Sequence, residues 1–429
     1  MRKADVVDLV DSVASVAFAP TAIAAAYLGV LAVAANGLPR SPHGVSIRFV
    51  VVVPAHNEEL SIGSTVRDLA QIDYPASLFR IVVVADNSTD GTAREAEKAG
   101  AEVLTRNDPS RRGKGYALEY AFDRLLNDAD RPVDAVVVVD ADTTVSPNLL
   151  RAFAGRLAAG ESALQASYQV ANGEATWRTA LMSVAFACMH DVRSVGRERL
   201  GLSTGLRGNG MCFSVRALRE VPHRATSLVE DVEHGLDLAA ANIRVAFVHD
   251  AWVKAEMPEH SEEASSQRQR WERGRSKLRR ERLTGLVSTA VGKRDLMTAD
   301  LAADLAIPPL ATLALAVGAS SAAASGISVV SRNLSKTAVV SMIGIVGLGG
   351  HVAKGWKVSG TGTSGLHALL HVPRYILWKL GLAQAATSST IRVGNAKKDL
   401  GNGQPGAEEW IRTTRNAEVN PPMKDRIDV

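Results

Sequence analysis

Cysteine is almost missing from this chain of 429 residues, which holds only Cys188 and Cys212. One bridge is the most they could form, and they share no metal-ligand spacing, so a disulfide framework is excluded and a reducing compartment fits. Strong net charge is missing too. The formal balance of +4 argues against a dedicated nucleic-acid binder. Aromatic residues make up 5%, against 46% hydrophobic overall. Neither of two common phosphate-binding signatures occurs. Arg111-Arg112-Gly113-Lys114-Gly115 is a basic, flexible loop opening a helix, but Lys114 is not followed by Ser or Thr as a Walker loop requires, and no dinucleotide fingerprint is found. His56 and His234 stand alone, without metal-ligand partners.

What is present is segregated. A mixed α/β stretch from about residue 45 to 285 lies between apolar ends rich in Ala, Gly and Val. Residues 13–36 carry no charged side chain and are long enough to cross a bilayer, which takes about 20 residues. A signal peptide is the alternative, since Leu31-Ala32-Val33-Ala34-Ala35 ends in small residues; the further apolar runs downstream favour an anchor. Those runs are 305–330, in which Pro308-Pro309 predicts a kink, and 337–353. Residues 364–382 alternate Leu and Ile with His367, His371, Arg374 and Lys379, which predicts an interfacial helix. Arg40 and Arg48 follow the first span, and Lys397, Lys398, Arg412 and Arg415 follow the last. Positive flanks stay inside, so three spans with a cytoplasmic central domain and tail are expected.

Within the central stretch, Phe49–Val53 is a short β-branched run of the kind buried on both faces of a parallel sheet. Helical patterns at 59–71, 91–99 and 114–126 alternate with strand patterns at 81–84, 103–104 and 135–139, which predicts βαβ units. Ligands of such sheets bind beyond the C-terminal strand ends. Polar clusters fall there: Asn57-Glu58, Asp86 to Gly91, and Asp140-Ala141-Asp142. Asp140 and Asp142 suit a hard divalent cation shared with phosphate oxygens; the alternative is an Asp capping a helix that starts near Thr143. Asp86 can accept from a nucleobase imide or close an Asx-turn. Glu230, Asp231 and Glu233 read as a catalytic pair or as an acidic first helical turn. Gln267, Arg270 and Trp271 share one helical face, ahead of a basic run from Arg268 to Arg282 suited to anionic lipid.

Pro54-Ala55-His56-Asn57-Glu58-Glu59, Ala85 to Thr92, Asp140-Ala141-Asp142, Glu230-Asp231 and Gln267-Arg268-Gln269-Arg270-Trp271 stand in the order of, and resemble, the motifs of glycosyltransferase family 2. The last is similar to the Gln-x-x-Arg-Trp element of membrane-bound cellulose, hyaluronan and chitin synthases and related exopolysaccharide enzymes. The resemblance covers about residues 48–285 and implies a GT-A fold, a Rossmann-like mixed sheet, with transfer that inverts the anomeric centre. It implies donor contacts from Pro54, Ala55, Asn57, Glu58, Asp86, Lys114, Asp140, Ala141, Gln267, Arg270 and Trp271. Acceptor contacts would come from Gly208, Asn209, Gly210 and Trp271, a metal (Mg2+ or Mn2+) from Asp140 and Asp142, and catalysis from Asp231 as base with Glu230 raising its pKa. Two departures stand out: Ala85-Asp86 replaces an Asp pair, and Val229 replaces a Thr.

The implied organisation is an anchor at 1–45, a cytoplasmic catalytic domain at 46–262, basic interfacial helices at 263–302, a transmembrane hairpin with an amphipathic helix at 303–390, and a tail at 391–429. The implied partners are a nucleotide sugar, UDP-linked by expectation, a polyprenyl-linked or glycan acceptor, membrane lipids and exopolysaccharide-assembly proteins, with no nucleic acid. The expected location is a bacterial inner membrane. Processive synthesis and export of a polymer is the alternative, disfavoured by the small number of spans.

Overall fold

The computed structural model describes residues 3–377 except 43, 45 and 260; of Lys3 and residues 261–268 it describes the backbone alone. The expected tail at 391–429 lies outside the described residues. In chain order the elements are α1 (Lys3–Ala34), β1 (Phe49–Ala55), α2 (Ile62–Ala70), β2 (Phe79–Asp86), α3 (Thr92–Lys98), β3 (Glu102–Arg106), α4 (Lys114–Leu125), β4 (Ala135–Val138), β5 (Thr143–Val145) and α5 (Leu149–Ala158). Then follow β6 (Ala163–Val170), α6 (Trp177–Phe186), α7 (Arg193–Arg199), β7 (Met211–Ser214), α8 (Val215–Glu220), α9 (Glu230–Ala240), β8 (Val245–Ala255), α10 (Ser261–Lys293), α11 (Leu296–Ala306), α12 (Leu310–Ser331), α13 (Lys336–Ser359) and α14 (Gly362–Leu370).

One sheet of eight strands runs β3-β2-β1-β4-β7-β6-β8-β5. Its first four strands are parallel, as the alternating pattern predicts. β7 runs antiparallel to both neighbours, and β5 antiparallel to β8, so the sheet is mixed. Alternation along β1 explains its uninterrupted valines. Phe49, Val51 and Val53 face Ile62, Val66 and Leu69 of α2 and Phe153 of α5, while Val50 and Val52 face Leu118, Ala121 and Phe122 of α4. Both faces are covered, so every position of the strand is apolar.

Among the described residues, three helices are long and apolar enough to cross a membrane: residues 4–34, 310–331 and 336–359. α1 starts ten residues before the uncharged run, and its Asp11 has a role there. The Asp11 carboxylate accepts from the backbone N–H groups of Lys336 (2.7 Å) and Thr337 (2.9 Å), capping α13 from another helix. Pro308-Pro309 does not kink a span as expected. α11 ends at Ala306, and Pro309 is the residue that opens α12, where a missing N–H costs nothing. α1 and α13 meet backbone to backbone, since a Cβ on Gly347 would lie 2.3 Å from the Ala25 carbonyl oxygen. Such small-residue contacts are how helices associate in lipid, where no hydrophobic drive separates them from solvent. Both cysteines are buried and unbridged.

Candidate functional site

The site forms where β1, β2 and β4 end and the antiparallel strands turn back. β4 gives out after Val138; Val139 still donates to Val52, and Asp140-Ala141-Asp142 then leaves the sheet. Thr143 does not start a helix. It begins β5, which pairs with β8, and the following helix opens at Leu149 behind Asn148. The helix-cap alternative for Asp140 and Asp142 therefore falls away. Ala141 is anchored by its carbonyl, which accepts from the Thr65 hydroxyl at 2.9 Å. Asp140, Ala141 and Asp142 all line a cavity of about 1880 Å³, together with Pro54, Glu58, Lys114, Gly208, Glu230, Asp231, Arg270 and Trp271.

Lys114 is the first residue of α4, and its ammonium donates to Asp140 and to the Gly208 carbonyl. The helix can approach because Gly115 has no side chain: a Cβ there would lie 2.2 Å from the Ala225 carbonyl oxygen. Burial penalises the Lys114 charge, but Asp140, Glu230 and Asp231 outweigh it and hold its pKa above the ordinary lysine value. Glu230 and Asp231 occupy the first turn of α9, and so does Glu233. Only the first two line the cavity; Glu233 accepts from the Ser227 N–H and faces Arg282. Burial, then the Asp231 charge, pushes the Glu230 carboxyl up to about 7. Asp231 is also raised by burial, against the opposing pull of the Val232 N–H, Lys114 and Arg207. The two carboxyls repel one another and are raised together, with burial the larger cause for both. Arg270 faces Glu230 and Asp140, which offset part of the burial that lowers its pKa. The Trp271 ring lies 6.4 Å from that of Phe186. The side chain of Gln267 lies outside the described residues.

Several expected site residues support the cavity from behind. Asp86 does not line it; the carboxylate is buried in an ion pair with Arg106 at 2.6 Å, and Arg106 is its direct cross-strand neighbour on β3. Its second oxygen is buried and has no partner among the described residues. Asn57 adopts a left-handed backbone (φ 55°) and accepts from the Thr89 N–H at 2.8 Å, tying two loops together. Ala55 is buried at the end of β1. Asn209 and Gly210, expected on the acceptor side, also stand behind the surface. The Asn209 amide accepts from the Asp140 N–H (3.2 Å) and donates to Thr143 (2.8 Å), while Gly210 packs against Val253. Gly208 alone of that trio lines the cavity, and a Cβ added there would lie 3.4 Å from the Asp231 carboxylate.

Sequence reasoning missed Arg106, Tyr116, Tyr168 and Arg207. The first stacks near Tyr116, with 5.9 Å from guanidinium to ring. Tyr168 reaches the cavity between Asp140, Asp142 and Asp231, whose charges add to burial in raising its pKa. None carries a local signal; only the register Asp86 to Arg106 could have suggested the first pair. The other end of the cavity is apolar, lined by Phe186, Ile307, Leu310, Leu348, Val352 and Tyr375 from α6, α12, α13 and their flanks.

Residues 47–274, more than half of the chain, match the family model described as glycosyltransferase like family 2. Among curated relatives, a probable glycosyltransferase of Bacillus subtilis is 26% identical over 52% of this chain and 54% of its own length. The β-monoglucosyldiacylglycerol synthase of Synechocystis is 28% identical over 52% and 47% respectively. The chain thus spans about half the length of these relatives. Among solved structures, a Pyrobaculum calidifontis mannosyltransferase in complex with GDP-mannose and Mn2+ has 17% identity and a TM-score of 0.44, over 80% of this chain and 97% of that one. Glucosyl-3-phosphoglycerate synthase of Mycobacterium tuberculosis has 21% identity and a TM-score of 0.38, over 56% and 86%.

Proposed function

This chain belongs to glycosyltransferase-like family 2, and from that premise we propose that it moves one sugar from a nucleotide donor, UDP-linked by preference, to a lipid acceptor at the cytoplasmic face of a bacterial inner membrane. The observation that carries the proposal is the continuity of the cavity. It joins Asp140, Lys114 and Asp231 to apolar walls built by the membrane-length helices, among them Leu310, Leu348 and Val352. An acceptor with an apolar tail and a reactive polar head fits that sequence of surfaces. The name of the Synechocystis relative, a diacylglycerol glucoside synthase, agrees with a lipid acceptor.

In this reading Asp231 accepts the proton of the acceptor hydroxyl as its oxygen attacks the anomeric carbon. The bond from that carbon to the diphosphate breaks on the opposite face, and the nucleoside diphosphate leaves with the bonding electron pair. Lys114 and Arg270 hold positive charge beside the departing group, and Trp271 offers a face for the acceptor sugar or head group. Asp140 and Asp142 present two hard oxygen donors to the cavity, a set that fits Mg2+ or Mn2+ completed by phosphate and water. Such an ion supplies charge neutralisation on the diphosphate. Asp86 has one unpartnered carboxylate oxygen, which would serve an imide N–H of the base once nucleotide binding uncovers it. A role in exopolysaccharide assembly, with protein partners, is the setting we assign to the reaction.

The test offers the purified full chain UDP- and GDP-sugars, Mg2+ or Mn2+, and a bacterial lipid extract. The expected result is lipid-dependent release of nucleoside diphosphate and a lipid one sugar heavier, both abolished in Asp231→Asn. Release that never depends on lipid would overturn the proposal, and a ladder of long products would replace it with processive synthesis.

A further inference from the structure

Beside the cavity, four arginines gather around one aspartate, and three of them line it. Arg193 and Arg197 come from α7, Arg207 from the loop before β7, and Arg275 from α10. Asp304 on α11 lies 2.9 Å from Arg197, 3.1 Å from Arg193, 3.3 Å from Arg275 and 4.0 Å from Arg207. Asp300 is the one other carboxylate in the cluster, 2.8 Å from Arg197, and it also accepts from the Tyr27 hydroxyl. The nearby Glu198 is taken by Arg156 and Arg244. Four guanidinium groups therefore face Asp304 and Asp300, with Asp231 drawing on Arg207 from the catalytic side, and one positive charge is left over.

The surplus falls on the side chains that line the cavity. Arg193, Arg207 and Arg275 do so, while Arg197 stands behind them. Arg207 is only 8% exposed, its Nη2 donates to the Thr204 carbonyl, and its Nε has no partner among the described residues. The Nε of Arg193 is likewise without one. Burial, with Arg197, Arg275 and Arg193 against it and Asp304 for it, brings Arg207 down to about 10. A buried, unmatched cation is costly, and well-placed anions offset that cost. The position of this surplus is specific. One residue beyond Arg207 is Gly208, where an added Cβ would lie 3.4 Å from the Asp231 carboxylate, and Ile307 and Leu310 belong to the apolar wall of the same cavity.

We propose that Arg193, Arg207 and Arg275 bind a phosphate-type oxyanion of the acceptor, which is therefore an anionic lipid whose phosphate separates its apolar chains from the hydroxyl delivered to Asp231. The inference rests on the lipid-acceptor reading above and narrows it: a neutral glycolipid precursor leaves the arginine cluster unmatched. The donor diphosphate has its own cations in Lys114 and Arg270 at the other end of the acidic group.

The experiment reads binding without any donor, so its outcome does not depend on turnover. Detergent-purified full chain is equilibrated with equal amounts of phosphatidylglycerol and diacylglycerol of the same acyl chains, and retained lipid is counted by native mass spectrometry. The wild type should retain phosphatidylglycerol over diacylglycerol by about tenfold, as expected for one to two charge-assisted hydrogen bonds. Arg207→Gln should reduce that preference to about twofold with diacylglycerol occupancy unchanged, and Arg207→Lys should restore part of it. Arg280→Gln, on an exposed position of α10, should keep the full preference and so controls for adsorption to the basic helix. An unfolding midpoint for each variant within a few degrees of wild type shows that the loss is local; if Arg207→Gln unfolds, Arg193→Gln is read in its place. Equal retention of the two lipids, or a preference that both variants keep, overturns the inference. So does saturable binding of inorganic phosphate alone that abolishes the lipid preference, which would make the occupant a soluble phosphate compound. Transfer of sugar to diacylglycerol as fast as to the anionic lipid would sink this inference while leaving the transferase reading intact.

Discussion

Asp231 and Glu230 are neighbours in the chain, face one cavity, and carry carboxyls that burial raises together. Their ionisation opposes folding. Glu230 titrates near 4.5 in an unfolded chain and near 7 here, so the folded protein keeps a proton that the unfolded chain releases between those values. Its contribution to stability is complete below 4.5 and is lost as pH rises through 7. In nucleotide-free protein, the drop in unfolding midpoint from pH 5 to pH 8 should therefore be smaller in Glu230→Gln than in wild type; an equal drop would contradict the assignment. For Asp231→Asn, a loss of about 10²- to 10⁴-fold in kcat with little change in donor KM is expected of a missing general base. Arg106 deserves a different readout, because it acts through Asp86. Arg106→Met should raise donor KM more than it lowers kcat, by about tenfold for a lost buried charge pair partner. The motif residues were legible one by one, yet Arg106 was not, since a lone arginine ending a strand looks the same whether or not it meets an aspartate across the ladder.

At the level of elements, short-range pattern located the parallel half of the sheet to within a few residues and misread what followed Asp142. Thr143-Thr144-Val145 satisfies a helix start and a strand equally well, and pairing with β8 decided the matter. The same holds for Pro308-Pro309, whose kink became a break between α11 and α12. The glycines of α13 were invisible as contacts. Gly347→Leu should separate α13 from α1 and lower the unfolding midpoint or the folded yield sharply, because its side chain would enter the Ala25 backbone. Gly349→Leu on the same helix, with open space around it, should change neither. Asp11→Ala removes a cap supplied across helices and should cost about 1 kcal/mol.

Over the whole molecule, one cavity joins the acidic site to an apolar wall, with Arg193, Arg207 and Arg275 also in its lining. The cytoplasmic orientation proposed for the catalytic domain can be checked by labelling. Cys188 and Cys212 are buried, so an impermeant maleimide should find no native target in folded protein. Arg273→Cys, at an exposed position of α10, should be labelled in inverted membrane vesicles and not in intact cells; the opposite pattern would reverse the orientation. The sequence by itself determined the class of fold and the membrane-length helices, and it singled out Asp140, Asp142, Asp231, Arg270 and Trp271 as candidates, because these follow from local periodicity, composition and motif spacing. Tertiary structure alone decided which of them line the cavity, that Asn209 and Asp86 stand behind it, and that Arg193, Arg207 and Arg275 converge from three separate segments. Burial and charge balance are sums over neighbours distant in the chain, and no local pattern of residues carries that sum.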